Sequence, residues 1–317
     1  MNTRPAIAIH GGCGVMAKLG LTDAEWAAAR ADLALSLRAG WAVLQAGGSS
    51  VDAVEAAVVV MEDSPQFNAG HGAALNADGV HELDSSIMRG ADLAAGAVTL
   101  VRHIRNPVKA ARALLEGGGP VMLGGAEADA FAERAGLEIV EQGYFTTERR
   151  TEALASLKQR NLEGTIKAAS EAEKHGTVGA VALDAAGHLA AATSTGGYNN
   201  KPPGRIGDSP IIGAGTYARD GVCAVSGTGA GEFFIRHAVG HEIASRIAYL
   251  GEELQAAAGH VILGDLKRYG IGAGIVAIDA AGNITAPYNT DGMFRGWITQ
   301  DGQMRVATHG EVLEVAL

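Results

Sequence analysis

The sequence predicts an α+β fold of antiparallel sheets covered by helices, and three observations carry that prediction. In each half of its 317 residues, apolar strand-like runs give way to helical runs and then to strands again. A hydrophobic share of 47% with a charged share of 19% describes an ordinary globule. The 45 glycines, about twice the average share of ~7%, cluster as HGGCG, GGG, GGY and GTGAG. Such clusters make tight turns and let backbone lie against a ligand.

The elements follow in order. "PAIAIHGG" reads as a short buried strand that stops at its glycines. Thr22 with Glu25 forms a capping-box pattern that starts a long helix through Gln45. Ser50 to Glu62 is a second amphipathic helix, ending before Pro65. "AALNADGVHELDSSIM" predicts a hairpin around Ala77-Asp78-Gly79, "AAGAVTLV" another strand, and Pro107 opens a helix. Ala126 to Ala135 gives one more helix. From Thr146 the chain is rich in Glu, Lys, Arg and Ala; it opens as a helix and from about residue 155 to 176 reads as a mobile linker. "TVGAVALDAAGHLAAATST" is a hairpin of two buried strands, and helices follow over Gly231–Leu250 and Glu252–Tyr269. The strand pair "GIVAIDAAGNITAPYN" closes the pattern, as one domain over residues 1–317.

Charge and cysteine content narrow the setting. A net charge of -10 without a basic run argues against a nucleic-acid partner. Two cysteines, Cys13 and Cys223, cannot make a disulfide framework and read as small buried fillers. No apolar stretch approaches a membrane span, and the N-terminal apolar run is too short for a signal-peptide core. A cytoplasmic protein with no membrane partner is expected.

Several motifs carry little chemistry. "GCGVMA" fits G-x-G-x-x-A through Gly12, Gly14 and Ala17, but the next helix starts too late to present its N-terminus to a pyrophosphate. "GTGAGE" lacks the Lys-Ser/Thr ending of a phosphate loop. His237 and His241 stand at metal-ligand spacing on one predicted helix, with no third ligand nearby, and read as solvated.

One constellation is less ordinary. Thr177 stands at the first position of a core strand, directly after the linker. Thr195 and Thr228 each end a later strand beside glycine, and Arg205 and Asp208 lie between them in "GRIGDSP". A threonine hydroxyl is a poor nucleophile unless a base takes its proton. Cleavage before Thr177 would create an α-amine of pKa ~7.7–8.0, suited to that task. Gly176 would tolerate the strain of such a cut.

"HGTVGAVALD", "TSTGGYNNKPPGRIGDSPIIGAGTYA" and "VSGTGAGE" resemble the plant-type (type III) L-asparaginases with isoaspartyl peptidase activity, which are N-terminal-nucleophile hydrolases. The resemblance extends through "AIHGGCG", "FNAGHGAALNADGVHELDSSIM" and "GIVAIDAAGNITAPYNTDGMFRGW". It implies a four-layer αββα sandwich, cleaved by itself between Gly176 and Thr177 into 1–176 and 177–317 and assembled as a homodimer of αβ units, (αβ)2. It makes Thr177 the nucleophile for self-cleavage and catalysis, with Thr195 as its hydroxyl partner. Thr228 and the Gly229 amide become the oxyanion hole. Arg205 would grip the substrate's α-carboxylate, Asp208 and the Gly231 carbonyl its α-ammonium, and Asn68 would support the nucleophile's surroundings. A backbone alkali-metal loop maps to Met61, Glu62, Ser64, Phe67, Ala69 and His71, with sodium as its ion and no cofactor for the chemistry. Ala230 and Arg89 depart from the family pattern without touching these roles.

The implied substrates are L-asparagine and isoaspartyl dipeptides, which share free α-amino and α-carboxyl groups flanking a β-carbonyl. Two alternatives stay open. Glycosylasparaginase shares the nucleophile logic but usually has Asp before the threonine. An uncleaved amino-acid-binding module would use the clamp without chemistry.

Overall fold

Strand β1 (Ala6–Gly14) is buried along its whole length, and its alternation shows why. Ile7 and Ile9 pack into the core beneath the first two helices, while Ala6 and Ala8 face a second core shared with another sheet. A strand covered on both faces needs apolar residues at every position. The computed structural model to which it belongs describes residues 3–14, 22–162 and 176–317.

Helix α1 (Asp23–Gln45) begins with a complete capping box, the Thr22 amide donating to Glu25 and the Glu25 amide to Thr22 Oγ1. Its buried face carries Trp26, Leu33, Leu37, Trp41 and Leu44 at helical spacing. Helix α2 (Ser50–Asp63) is capped by Ser49 and buries Val51, Val54, Val58 and Met61. The two helices close on β1 at Gly40, where a Cβ would stand 2.4 Å from Ile7 Cδ1 and 2.8 Å from the Ala53 carbonyl.

Strands β2 (Leu83–Arg89) and β3 (Ala95–Val101), helix α3 (Pro107–Gly117), the short strand β4 (Met122–Gly124) and helices α4 (Gly125–Arg134) and α5 (Glu148–Leu162) complete the first half. The second half brings β5 (Val178–Leu183), β6 (Leu189–Thr195), β7 (Thr216–Arg219) and β8 (Cys223–Gly229). Helices α6 (Gly231–His237), α7 (Val239–Leu250) and α8 (Leu254–Gly259) follow, the last continuing as π and 3-10 turns to Tyr269. Strands β9 (Ala273–Asp279), β10 (Ile284–Thr285), β11 (Gly292–Ile298), β12 (Met304–Ala307) and β13 (Val312–Val315) end the chain.

Among the described residues one sheet has nine strands in the order β13-β12-β11-β1-β5-β6-β2-β3-β4, and a second has four in the order β10-β9-β8-β7. Every pairing is antiparallel except β3 with β4. The fold is α+β. Val181 and Leu183 of β5 share one core with Val225 of β8 and Ile275 of β9, whereas Val178, Ala180 and Ala182 share the other with α1 and α2. No helix of the described residues is long and apolar enough to cross a membrane.

Four expectations need correction. Strand β1 does not stop at the glycines; it runs through His10-Gly11-Gly12-Cys13-Gly14, with a bulge between His10 and Gly12 where it pairs with β11. The turn at Ala77-Asp78-Gly79 forms, with the Gly79 amide on the Asn76 carbonyl, but strand pairing begins only at Leu83. The expected linker from about 155 is helical as far as Leu162, and its remainder over 163–175 lies outside the described residues. The single helix over Gly231–Leu250 is broken at Ala238, which adopts φ 46° and ψ 50°. There the amides of Gly240 and His241 turn to the carbonyls of Ala214 and Gly213, so tertiary hydrogen bonds replace helical ones. His237 and His241 consequently fall on different helices, against Tyr269 and Tyr217 respectively.

Candidate active site

Sheet register assembles the site. Val178 of β5 stands opposite Ser194 of β6, and one further step brings Thr177 beside Thr195. Their hydroxyls meet at 3.1 Å, with Thr177 donating. Thr195 Oγ1 in turn donates to the Gly176 carbonyl at 3.1 Å and accepts the Gly197 amide at 3.0 Å. Asn68 donates from Nδ2 to the carbonyls of Gly176 and Gly197, both at 2.6 Å, and its Oδ1 accepts the Ala74 amide at 2.6 Å. The carbonyl preceding Thr177 therefore holds two donors. All three side chains are buried.

The second sheet supplies Thr228 near the end of β8, fully buried. Its hydroxyl accepts the Cys13 amide at 3.4 Å, and its carbonyl accepts the Cys13 thiol at 3.4 Å. The neighbouring Gly12 has φ 106°, and a Cβ on it would lie 2.9 Å from Gly176 Cα and 3.2 Å from the Thr177 nitrogen. The HGGCG strand thus lies against the Gly176–Thr177 bond while holding Thr228. Gly229 has φ 139°, and its would-be Cβ meets the Gly272 carbonyl at 2.4 Å.

The remaining predicted residues gather around a guanidinium. Arg205 donates from Nε and Nη2 to one oxygen of Glu232, at 3.0 and 2.9 Å, and lies over the Tyr198 ring. Asp208 is buried, its Oδ2 has no hydrogen-bond partner among the described residues, and burial pushes its carboxyl up to about 7 despite Arg205 nearby. A Cβ on Gly231 would stand 2.7 Å from Asp208 Oδ1 and 3.1 Å from Arg205 Nη2. A side chain there would press on both charged groups. Of the two departures, Ala230 precedes α6 with its amide on the Gly272 carbonyl, and Arg89 pairs with Asp92 and Glu116.

Sequence reasoning missed three charged residues here. Lys201 is fully buried, donates to the Glu82 carbonyl at 2.7 Å and runs its stem beneath Gly197. Asp84 faces Thr195 across β2 and β6, and accepts from Thr99 Oγ1 and the Leu100 amide. Glu232 occupies Arg205. The signal for the first two was a lysine beside the GGY turn and an aspartate within a strand otherwise reading as buried.

The loop after α2 offers backbone oxygens. The carbonyls of Pro65, Gln66, Asn68, Gly70 and Gly72 accept from Arg149, the Gly196 and Ala73 amides, and Arg150. The Glu62 carbonyl accepts the His71 amide at 2.7 Å, but no hydrogen bond between described residues ends on the carbonyls of Ser64, Phe67, Ala69 or His71.

A strand-initial threonine hydroxyl, a neighbouring carbonyl with two donors, and an arginine–aspartate pair describe a hydrolase of the threonine-nucleophile class. The sequence pattern of the asparaginase family matches residues 3–308, and the chain belongs to that family. It is similar to the isoaspartyl peptidase of Escherichia coli strain K12, 43% identical over 297 residues that cover 93% of this chain and 92% of that one. It is 37% identical to the "Probable isoaspartyl peptidase/L-asparaginase 2" of Arabidopsis thaliana, over 95% of this chain and 98% of that one. The isoaspartyl peptidase/L-asparaginase of Mus musculus is 49% identical over 207 residues, 65% of this chain and 63% of its own length.

Proposed function

We propose that the protein hydrolyses the side-chain amide of L-asparagine and the β-peptide bond of isoaspartyl dipeptides, after cutting itself between Gly176 and Thr177. The hydrogen bonds from Asn68 and Thr195 to the Gly176 carbonyl carry this reading. In self-cleavage Thr177 Oγ1 attacks that carbonyl carbon, Asn68 and Thr195 donate to the oxygen as it gains charge, and the acyl group moves from nitrogen to oxygen. Water then hydrolyses the ester and leaves Thr177 with an α-amine.

The same hydroxyl attacks the substrate's β-carbonyl, the α-amine taking its proton and passing it to the departing ammonia or amine. Thr228 and the Gly229 amide stabilise the oxyanion, and water releases aspartate from the acyl-enzyme. Arg205 binds the α-carboxylate through its planar fork, and Asp208 with the Gly231 carbonyl binds the α-ammonium. Requiring both charges selects an unblocked aspartyl unit.

The two cores support a helix–sheet–sheet–helix sandwich of one domain. We further assign sodium to the carbonyls of Met61, Glu62, Ser64, Phe67, Ala69 and His71, and an (αβ)2 assembly to the cleaved chains. The buried thiols of Cys13 and Cys223 favour a reducing, cytoplasmic setting. Intact-mass analysis tests the central claim. The wild type should resolve into 1–176 and 177–317, and Thr177→Ala should stay whole and inactive. A fully active enzyme that remains uncut would overturn the reading.

A further inference from the structure

Apolar contacts fill most of the space between the two sheets, yet one row across it is polar. In the larger sheet His10 pairs with Gly179, Gly179 with Thr193, and Thr193 with Ser86. In the smaller sheet Thr216 pairs with Ser226. The two rows are hydrogen-bonded to each other. His10 Nε2 lies 2.9 Å from Ser226 Oγ, and Ser226 Oγ lies 2.7 Å from Thr193 Oγ1. Thr216 Oγ1 lies 2.6 Å from Thr193 Oγ1 and 2.8 Å from Ser86 Oγ, and the Ser209 carbonyl accepts from Ser86 Oγ at 2.6 Å. All five side chains are fully buried.

Stability does not explain such a row, because replacing paired buried polar groups by apolar ones of the same shape is often neutral. Its position does. Thr177 stands two residues before Gly179, Thr195 two after Thr193, and Thr228 two after Ser226. Strand side chains repeat every second residue, so each of these hydroxyls shares a face with a member of the row one pleat deeper. At Gly179 the missing side chain is what lets the pair meet. A Cβ there would fall 1.9 Å from Ser226 Oγ and 2.6 Å from His10 Nε2. Burial pushes the pKa of the His10 ring down to about 3, the Thr177 backbone opposing that shift, so the imidazole beside the nucleophile's strand stays neutral.

We propose that the His10–Ser226 pair, continued by Thr193, is a positioning device that fixes the strand bearing Thr177 against the strand bearing Thr228. The proposal rests on Thr177 being the nucleophile. None of the three touches substrate; each acts by setting the distance between a nucleophile on one sheet and an oxyanion donor on the other.

The test uses Ser226→Ala, His10→Leu and the isosteric Thr193→Val in the full chain, with self-cleavage, steady-state kinetics and thermal unfolding measured on the same preparations. A misplacement of ~1 Å can cost ~10²-fold, so kcat and the self-cleavage rate should fall about 10- to 100-fold, with KM within about twofold. His10→Gln, whose carboxamide can reach the Nε2 position, should recover much of what His10→Leu loses. Wild-type kcat and self-cleavage in folded Ser226→Ala and Thr193→Val would overturn the proposal. So would losses that simply follow the folded fraction. If Ser226→Ala does not fold, Thr193→Val decides alone. Thr177→Ala run alongside separates the two ideas: its activity would sink the nucleophile assignment, whereas an inactive Thr177→Ala beside fully active row variants would sink only the positioning role.

Discussion

The two ends of the site are built to opposite rules. Beside Thr177 two side chains are committed: Thr195 makes three hydrogen bonds, and Asn68 uses its oxygen and its nitrogen on backbone partners. Beside Arg205 the buried carboxylate is not. Asp208 Oδ2 is buried without a partner among the described residues, and Arg205 rests on Glu232, whose side chain is 54% exposed. A fully satisfied buried network is rigid, while an unsatisfied buried carboxylate is costly until a cation arrives. On the proposed function, the first end is the one prepared for bond making, and the second is the one that would take a ligand carrying both charges.

Substitutions at the two ends should therefore divide between kcat and KM. The largest effect is expected at the prepared end. Thr228→Val in mature enzyme should lower kcat by about 10²- to 10³-fold with little change in KM, as loss of an oxyanion donor does. A fully active, folded Thr228→Val enzyme would remove that hydroxyl from the mechanism and blur the contrast.

At the other end, Asp208→Asn keeps the shape and removes the charge. A charge-assisted hydrogen bond contributes ~1.5–3 kcal/mol, so KM for L-asparagine should rise about 10- to 100-fold while kcat changes much less. An equal fall in kcat and in kcat/KM would instead place Asp208 in the reacting machinery.

The same carboxyl predicts a pH dependence. Its folded pKa of about 7 lies above the ordinary 3.8. The folded state then holds the proton more tightly than the unfolded one, and this group's stability contribution falls as pH rises from 3.8 to about 7. An ammonium ligand pairs with the ionised form and offsets the buried charge. Aspartate should accordingly raise the melting temperature more at about pH 8 than at about pH 6. A thermal shift that is flat across that range would mean that Asp208 does not meet the ammonium as an anion.

The smallest effect is expected at Glu232. A half-exposed ion pair is worth ~0–1 kcal/mol, so Glu232→Gln should move KM by less than about fivefold. A larger rise, measured against an unchanged Thr228→Val phenotype, would show that Arg205 is oriented by Glu232 and that the clamp is more prepared than its exposure implies.

Much of the frame was legible because local chemistry fixes it. The capping box at Thr22 and Glu25, the apolar face of α2, and the Asp-Ala-Ala-Gly turns at 184–187 and 279–282 each depend on residues a few positions apart. The residues gathered around Thr177 were legible for a different reason, since hydroxyls and charges beside glycine in strand-end motifs are unusual whatever their partners. Local patterning failed where distant contacts override it. Ala238 favours a helix, yet α7 starts anew because Ala214 and Gly213 capture its first amides.

The sequence by itself determined which strands are covered on both faces, where the long helices start, and which residue types stand at the strand ends. Only the tertiary structure decided that Glu232 holds Arg205, that Lys201 lies beneath Gly197, and that His10 meets Ser226 across 216 positions of chain. Propensity and capping act over a few residues, whereas partners this distant are chosen by sheet register and by the packing of one sheet on another.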